Sequence, residues 1–424
     1  MKVLRILMLT LAATLLALGL WGCGSSGSGT PAVVDRDGDG IPNVDDAFPD
    51  DPLRFAAFES DTDTDPFSVV VAVAENGNSV LGGQSDLVGN TLLAQRLTFD
   101  PVTEIVTQAT LNPIGGVAAN QNRAYSAVYG VNADGLAVGE SSLLDSDVLN
   151  FVPVFWAADS VDATRLPLTQ TEGEIIPPAE EGGEPEIIET VTTFTNGSAY
   201  GVNTAGQIVG EIMTDNGLMA VLWQPDAEAV SGYAEPVTLS SLMENGSATA
   251  HYINADGLVV GEAMTSDGMR AALWTVSAAG SQQGDAIDLG TLSINHVASS
   301  AYGVDSLGRI VGESVTGTGI VHAALWRAHS EDAEDLGENS SAMAISAANN
   351  RIVGSAMVDG EMRAAVWDTR STVLSNSDAV LTEGPTFTPL AGNSRAYAQS
   401  QGEVGAVGGL YVDHAFIAVP IMPQ

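Results

Sequence analysis

Cysteine is nearly missing from this 424-residue chain: Cys23 is the only one. No intramolecular disulfide can form, so packing and hydrogen bonds must hold the fold. Lysine is as scarce, occurring once at Lys2, and 14 basic residues face 53 acidic ones for a formal charge of −39. A surface of that sign repels phosphate backbones, which excludes nucleic acid as a partner; it suits cations and salty solvent. Long apolar runs are absent apart from Ile6 to Leu20. That run is short for a membrane span of about 20 residues, and with Lys2 and Arg5 beside it, it reads as a signal peptide over residues 1–22. No P-loop, dinucleotide fingerprint or nucleophile motif is present. The five histidines, His251, His296, His322, His329 and His414, lack metal-ligand spacing. Apolar residues nevertheless make up 45% of the chain, which fits a folded body with a charged skin rather than a disordered acidic tail.

The signal closes on Leu20-Trp21-Gly22-Cys23, which resembles a bacterial lipobox. The resemblance implies lipidation of Cys23 and attachment to a membrane. Gly24 in place of an aspartate implies the outer membrane of a Gram-negative envelope. Residues 23–34, half of them Gly or Ser, then read as a flexible tether.

Next comes DRDGDGIPNVDD over residues 35–46. Asp35, Asp37, Asp39, Asn43 and Asp46 place oxygens at loop positions 1, 3, 5, 9 and 12, Ile41 offers its carbonyl, and Gly40 permits the bend. Hard oxygens at alternate positions are the pattern of a calcium loop. Asp46 stands where an EF-hand uses glutamate, and no helix signal flanks the loop. With the continuation to Pro52, including Asp45 and Asp50 as possible further ligands, the segment 35–52 resembles a thrombospondin type 3 repeat. That resemblance implies an irregular chain wrapped around calcium. Residues 53–66 read as linker; Asp61, Asp63 and Asp65 within them either extend the site or are simply solvated.

From residue 67 onward one plan recurs. A run such as Ala301-Tyr-Gly-Val-Asp305, a turn, a run such as Arg309-Ile-Val-Gly-Glu-Ser314, a glycine-bearing loop and a run ending in tryptophan repeat along the chain. Short β-branched and aromatic runs bounded by Gly, Asp, Asn and Ser predict strands joined by tight turns. Aligning on the Val-Gly pair gives Gly82, Gly139, Gly210, Gly261, Gly312 and Gly354, with Gly408 as a seventh. The closing aromatic is Trp156, Trp223, Trp274, Trp326 and Trp367. Four strands per unit predict an all-β fold, a β-propeller of seven four-stranded blades over 67–424 whose Trp and Tyr anchors fill the space between blades. An open solenoid is the alternative. The insertion at 169–191, rich in Glu, Pro and Gly, predicts a solvated excursion without structure.

The stretches Asp288-Leu-Gly-Thr-Leu292, Ala301–Asp305, Gly308–Ser314 and His322-Ala-Ala-Leu-Trp326 resemble the HAF repeat family of probable extracellular repeats. The match covers most of residues 110–419 and implies a surface location and a repeat fold more than an activity. His322 and His414 retain the family histidine where other units carry Val152, Met219, Arg270 and Arg363, so the position reads as structural.

Two recurring polar positions remain. Glu140, Glu211, Glu262 and Glu313 follow the Val-Gly pair and are either strand-edge charges facing water or pairing locally, or a ring of carboxylates at the propeller channel. Asn132, Asn203, Asn254 and Asp305 precede the turn, where such side chains bond the turn's own backbone. Ser141 and Ser314 have no evident histidine partner. The composite expectation is a lipid-anchored, calcium-stabilised binding or adaptor protein with no catalytic activity, presenting loops to a protein or glycan. The alternatives are a propeller hydrolase acting on surface polysaccharide and a structural envelope protein.

Overall fold

The computed structural model describes residues 54–59, 68–76, 79–88, 91–100, 105–115, 124–145, 148–176, 186–277, 284–328, 333–358, 360–369, 386–389, 394–399, 401, 406–411 and 414–421. Cys23 and the calcium-loop residues Asp35, Asp37, Asp39, Ile41, Asn43, Asp45, Asp46 and Asp50 lie outside the described residues.

Seven four-stranded antiparallel sheets account for most of the described chain. Their inner strands are Ser68–Asn76, Ser126–Val131, Gly197–Val202, Ala248–Ile253, His296–Val304, Ser340–Ser346 and Ser394–Gln399, and we number the blades 1 to 7 in that order. Each inner strand contacts the inner strand of the next blade, and Ser394–Gln399 contacts Ser68–Asn76, so the ring closes. The chain is a β-propeller.

Closure also uses the sheet at the chain's two ends. Residues 54–59, expected to be linker, form the outer strand of blade 7 and pair with 416–421. A strand contributed from before blade 1 ties the ends of the ring by backbone hydrogen bonds. The repeat unit and the blade are offset by one strand throughout. Val237–Thr238 and Ile287–Asp288, which lead into units in the sequence, complete the preceding blades as their outer strands.

Residues 169–191 are not an unstructured excursion. Thr169–Ile176 pairs with Glu186–Thr193 as an antiparallel hairpin. Thr171 donates its backbone N–H and its hydroxyl to the Glu235 carboxylate at 2.9 and 3.0 Å, and Gln170 Nε2 donates to the Pro236 carbonyl at 3.0 Å. Threonine, isoleucine and valine on both arms supply strand propensity that the charged composition obscures.

The core lies between blades. Trp274 packs with Val209, Ala220 and Leu222 of blade 3; Trp326 with Val260, Ala271 and Leu273 of blade 4; Trp367 with Val311, Ala323 and Leu325 of blade 5. A single blade cannot cover its own faces, and each tryptophan fills the gap to its predecessor. The indole N–H groups also cross the boundary: Trp156 donates to Asn112 O at 2.9 Å, Trp223 to Pro167 O at 2.9 Å and Trp274 to Ser240 O at 2.7 Å. Truncating a buried tryptophan of this kind costs about 3–5 kcal/mol.

A second belt runs through the turns. Asn132 Nδ2 donates to Asn203 O at 2.9 Å, Asn203 Nδ2 to Asn254 O at 3.1 Å, and Asn254 Nδ2 to Asp305 O at 3.0 Å. Each Oδ1 meanwhile accepts from its own turn, as Asn132 does from Asp134 N and Leu136 N at 3.1 and 3.0 Å. One side chain therefore shapes the turn and fastens it to the next blade.

Candidate functional site

Every inner strand carries a register shift at the same place: between Val70/Ala72, Val128/Gly130, Ala199/Gly201, Ala250/Tyr252, Ala301/Gly303, Ala342/Ala344 and Ala396/Ala398. The bulge explains the Val-Gly pair. A Cβ added at Gly210, Gly261 or Gly312 would come within less than 3.0 Å of the carbonyl oxygen of Ser198, Thr249 or Ser300 on the inner strand. Only glycine accepts so close a backbone. By the same register, Gln84 and Gly409 occupy this place in blades 1 and 7, so the alignment on Gly82 and Gly408 is shifted there.

The extra residue in each bulge is Val71, Tyr129, Tyr200, His251, Tyr302, Met343 and Tyr397. Each is partly exposed and follows a buried residue. Four of them form a continuous arc, with ring centroids 5.3 Å apart for Tyr129–Tyr200, 6.0 Å for Tyr200–His251 and 5.3 Å for His251–Tyr302. Side chains of four successive blades meet in this way only at the ring's axis.

The recurrent glutamates stand under this arc, and those of blades 2 and 3 pair locally instead of facing water. Glu140 is 5% exposed and Glu211 4%. Glu140 accepts from the hydroxyls of Tyr125 and Tyr129 at 2.8 and 3.0 Å, and from Ser198 of blade 3 at 2.6 Å. Glu211 accepts from Tyr200 at 3.2 Å and from Thr249 of blade 4 at 2.8 Å. The rule is a carboxylate clamped by its own blade's tyrosine and by a hydroxyl of the next blade. Burial and the adjacent Glu140 carboxylate push the Tyr125 and Tyr129 phenols well above their usual range, so they remain donors.

Blade 4 lacks the tyrosine. His251 stands in the tyrosine position, with Nδ1 donating to Ala301 O at 2.9 Å, so the ring has no hydroxyl to give Glu262. Ser300 stands where Ser198 and Thr249 do. It is 8% exposed, and its hydroxyl bonds that of Tyr302 in its own blade. Blade 5 restores the clamp, with Tyr302 donating to Glu313 at 3.2 Å and Ser341 bonding it from blade 6. Glu262 and Glu313 are both partly exposed, unlike Glu140 and Glu211. The Glu313 carboxyl lies deep enough that burial pushes it above the usual carboxylate range; Ser341 and Tyr302 pull it back, Glu262 adds to the rise and Arg395 opposes it. Two neighbouring carboxylates thus sit in unequal surroundings at one point of the ring.

The same blade holds a second polar cluster. Ser314, expected to lack a histidine partner, has its Oγ 2.9 Å from His296 Nδ1 and accepts from Leu292 N at 3.1 Å. His296 packs edge-on against His322 with centroids 5.0 Å apart, and His322 Nδ1 lies 3.0 Å from Asp335 Oδ2. Ser314 is fully buried, so its hydroxyl anchors the inner strand and is shut off from any substrate. No group of three or more metal-ligating side chains occurs among the described residues. Trp156, Trp223, Trp274, Trp326 and Trp367 are the buried interblade anchors.

No protein-family model matches the chain, and no curated protein matches it. Solved structures of similar shape include the β-propeller domain of the Trilobed protease from Pyrococcus furiosus, with a TM-score of 0.46 at 8% identity over 84% of this chain and 94% of that one. They also include an oligogalacturonate lyase in complex with manganese, at 0.45 and 10% over 87% and 96%. A third is an ulvan lyase of a polysaccharide lyase family bound to a sulfated disaccharide repeat, at 0.46 and 9% over 87% and 96%. At these identities the likeness assigns no activity to this chain. It does correct the expectation of a non-enzyme: two of these neighbours are lyases. A missing linear motif cannot exclude catalysis on a ring whose groups come from separate blades.

Proposed function

We propose that this propeller is a polysaccharide hydrolase whose site is the Glu262–Glu313 pair beneath His251 and Tyr302. The observation that carries the reading is the pair of partly exposed glutamates, Glu262 and Glu313, that act on one another at blades 4 and 5. There, two adjacent carboxylates keep access to solvent and one is held toward its protonated form. Glycoside hydrolysis needs a carboxylic acid to protonate the leaving oxygen and a second, ionised carboxylate as nucleophile or base. Glu313 takes the first role and Glu262 the second; Tyr302, which interacts with both, holds them in register, and the aromatic arc offers faces on which sugar rings stack.

Release of reducing ends from a panel of envelope polysaccharides tests the proposal. E313Q and E262Q should each lower turnover by about 10²–10⁴-fold, the usual contribution of an acid or base. A panel wholly inert to the native chain, or an E313Q variant as active as the native chain, overturns it.

We further propose that Cys23 carries a lipid anchor in the cell envelope, that residues 35–52 bind calcium as a thrombospondin type 3-like segment, and that the chain is a HAF-repeat protein. The support is sequence spacing alone. If the calcium segment is ordered by its ion, EDTA will increase proteolysis within residues 33–66; cleavage unchanged by EDTA, with no calcium uptake by calorimetry, removes it.

A further inference from the structure

We infer that His296 and His322 form a site for one divalent transition-metal ion, of the class of Zn²⁺, Ni²⁺ or Cu²⁺, on the face that blade 5 turns toward blade 4. The site lies outside the ring of carboxylates and stands apart from the hydrolase reading.

Blade 5 departs from its neighbours at the point that brings the two rings together. Its inner strand, His296–Val304, starts three residues earlier than Gly197–Val202 and Ala248–Ile253 do in blades 3 and 4. The added residues hold a second register shift, between His296 and Ala298. Residues directly opposite on neighbouring strands share a face, as do alternate residues of one strand. Ser314 stands opposite Ser299 on one side and His322 on the other, and Ser299 Oγ accepts from Ala271 N of blade 4 at 2.8 Å, so this face meets blade 4. In an unbroken ladder Val297 would join them, opposite Thr316. The bulge puts His296 there instead and leaves Val297 51% exposed. The exchange gives up apolar burial and sets a second imidazole beside the first, which is how bulges re-aim side chains next to functional sites.

Both rings are held as metal ligands are. His322 Nδ1 lies 3.0 Å from Asp335 Oδ2, and His296 Nδ1 lies 2.9 Å from Ser314 Oγ. A carboxylate or hydroxyl that accepts from Nδ1–H selects the tautomer with its lone pair on Nε2. Neither Nε2 has a hydrogen-bond partner among the described residues. The ring centroids are 5.0 Å apart and the planes are inclined at 70°. With metal–nitrogen bonds of about 2.0–2.1 Å and each nitrogen about 1.2 Å from its ring centre, one ion on both rings sets the centroids about 4.5–5.4 Å apart for N–metal–N angles of about 90–109°. The observed spacing falls in that window. His322 keeps 16% of its side-chain surface and Asp335 50%, so solvent reaches the pair and water fills the remaining positions. Imidazole nitrogens suit zinc, nickel and copper, whereas calcium takes oxygen.

The experiment titrates the full chain with ZnCl₂, read by calorimetry, and with CuCl₂, read by electron paramagnetic resonance. Excess calcium is present throughout to fill oxygen sites. The tightest copper should show two nitrogen ligands. H322M copies Met219, which holds the equivalent place in blade 3; it should weaken zinc binding more than tenfold and leave one nitrogen in the copper spectrum. Because a loss can also come from misfolding, H296Q, at the start of its strand, is the second variant and should lose as much. D335N should lower zinc affinity about tenfold while both nitrogens stay, the usual effect of removing an outer partner. A native chain that takes neither ion overturns the inference. So does a native copper spectrum with one nitrogen, or zinc affinity unchanged in H322M and H296Q; ions would then sit singly on histidines such as His251 or His414.

Discussion

Replacing Asp305 by asparagine should destabilise the ring far more than so small a change suggests. Asp305 has no exposed surface and Arg309 almost none, and Arg309 Nε lies 2.7 Å from Asp305 Oδ2. Arg309 also donates to Thr369 Oγ1 at 2.9 Å and approaches Ser346 O at 3.4 Å, so one guanidinium links blade 5 to blade 6. Asn132, Asn203 and Asn254 hold the equivalent place in blades 2 to 4. There the fourth residue on is Leu136, Gln207 or Leu258, and an amide suffices. In D305N the new Nδ2 would point donor to donor at Arg309 and leave a buried cation unpaired. Breaking a buried pair from one side costs about 3–5 kcal/mol.

The double variant D305N/R309L copies the blade 4 solution, Asn254 with Leu258. The turn's own bonds, from Leu307 N and Arg309 N to Oδ1 at 3.0 Å, survive because an amide oxygen accepts equally well. Replacing a buried ion pair by neutral groups of similar volume is often close to neutral, so the double variant should recover most of the loss. Urea denaturation of native chain, both single variants and the double variant measures the cycle. A D305N cost below ~1 kcal/mol, or a double variant as unstable as the two single losses added together, would refute the reasoning that charge pairing, and not the turn, dominates at this site.

Other perturbations follow from the same geometry. W326F should cost about 1 kcal/mol less than W274F by chemical denaturation, because the Trp326 indole N–H has no partner while that of Trp274 donates to Ser240 O. G312A should destabilise by roughly 2–5 kcal/mol, since its methyl group would collide with the Ser300 carbonyl and force the bulge apart; a thermal midpoint unchanged from native would contradict the role given to the Val-Gly pair. Glu313 binds its proton more tightly folded than unfolded, so its contribution is fully present below the unfolded value and is lost as pH rises through the raised one. Denaturation midpoints from about pH 4 to 8 should therefore shift in favour of E313Q relative to the native chain as pH rises, and a constant difference would remove the burial argument.

The ring was legible in the sequence because its parts repeat. The Val-Gly pair, the closing tryptophan and the turn asparagine each report a local constraint: a bulge that admits no side chain, a gap between blades, a turn that needs an amide. Such constraints act within one or two strands, so spacing reveals them. The offset between unit and blade stayed hidden because hydrogen bonding of 54–59 to 416–421 joins segments at opposite ends of the chain, and nothing in a repeat says which strand closes it. The hairpin in 169–191 was masked by composition, since charge is tolerated on a two-stranded ribbon whose faces meet water. The pairing of Ser314 with His296 was missed for a different reason: the histidine comes from an extension of one inner strand, His296–Val304, that the other units lack.

The site itself is legible only as a departure from the repeat. Wherever a blade carries the glutamate, the next blade carries a hydroxyl: Ser198, Thr249, Ser300 and Ser341 follow Glu140, Glu211, Glu262 and Glu313. Where the glutamate gives way to Ser355, Leu410 or Ser85, the following blade carries Arg395, Val69 or Ala127. The two positions change together because each is the other's partner across a blade boundary, and a buried carboxylate without a donor is costly. Against that coupling, His251 is the one arc residue that cannot clamp the glutamate of its own blade, and Ser300 is the hydroxyl that bonds Tyr302 of its own blade. The imidazole beside a partly exposed carboxylate is where the proposed site departs from the clamp of blades 2 and 3.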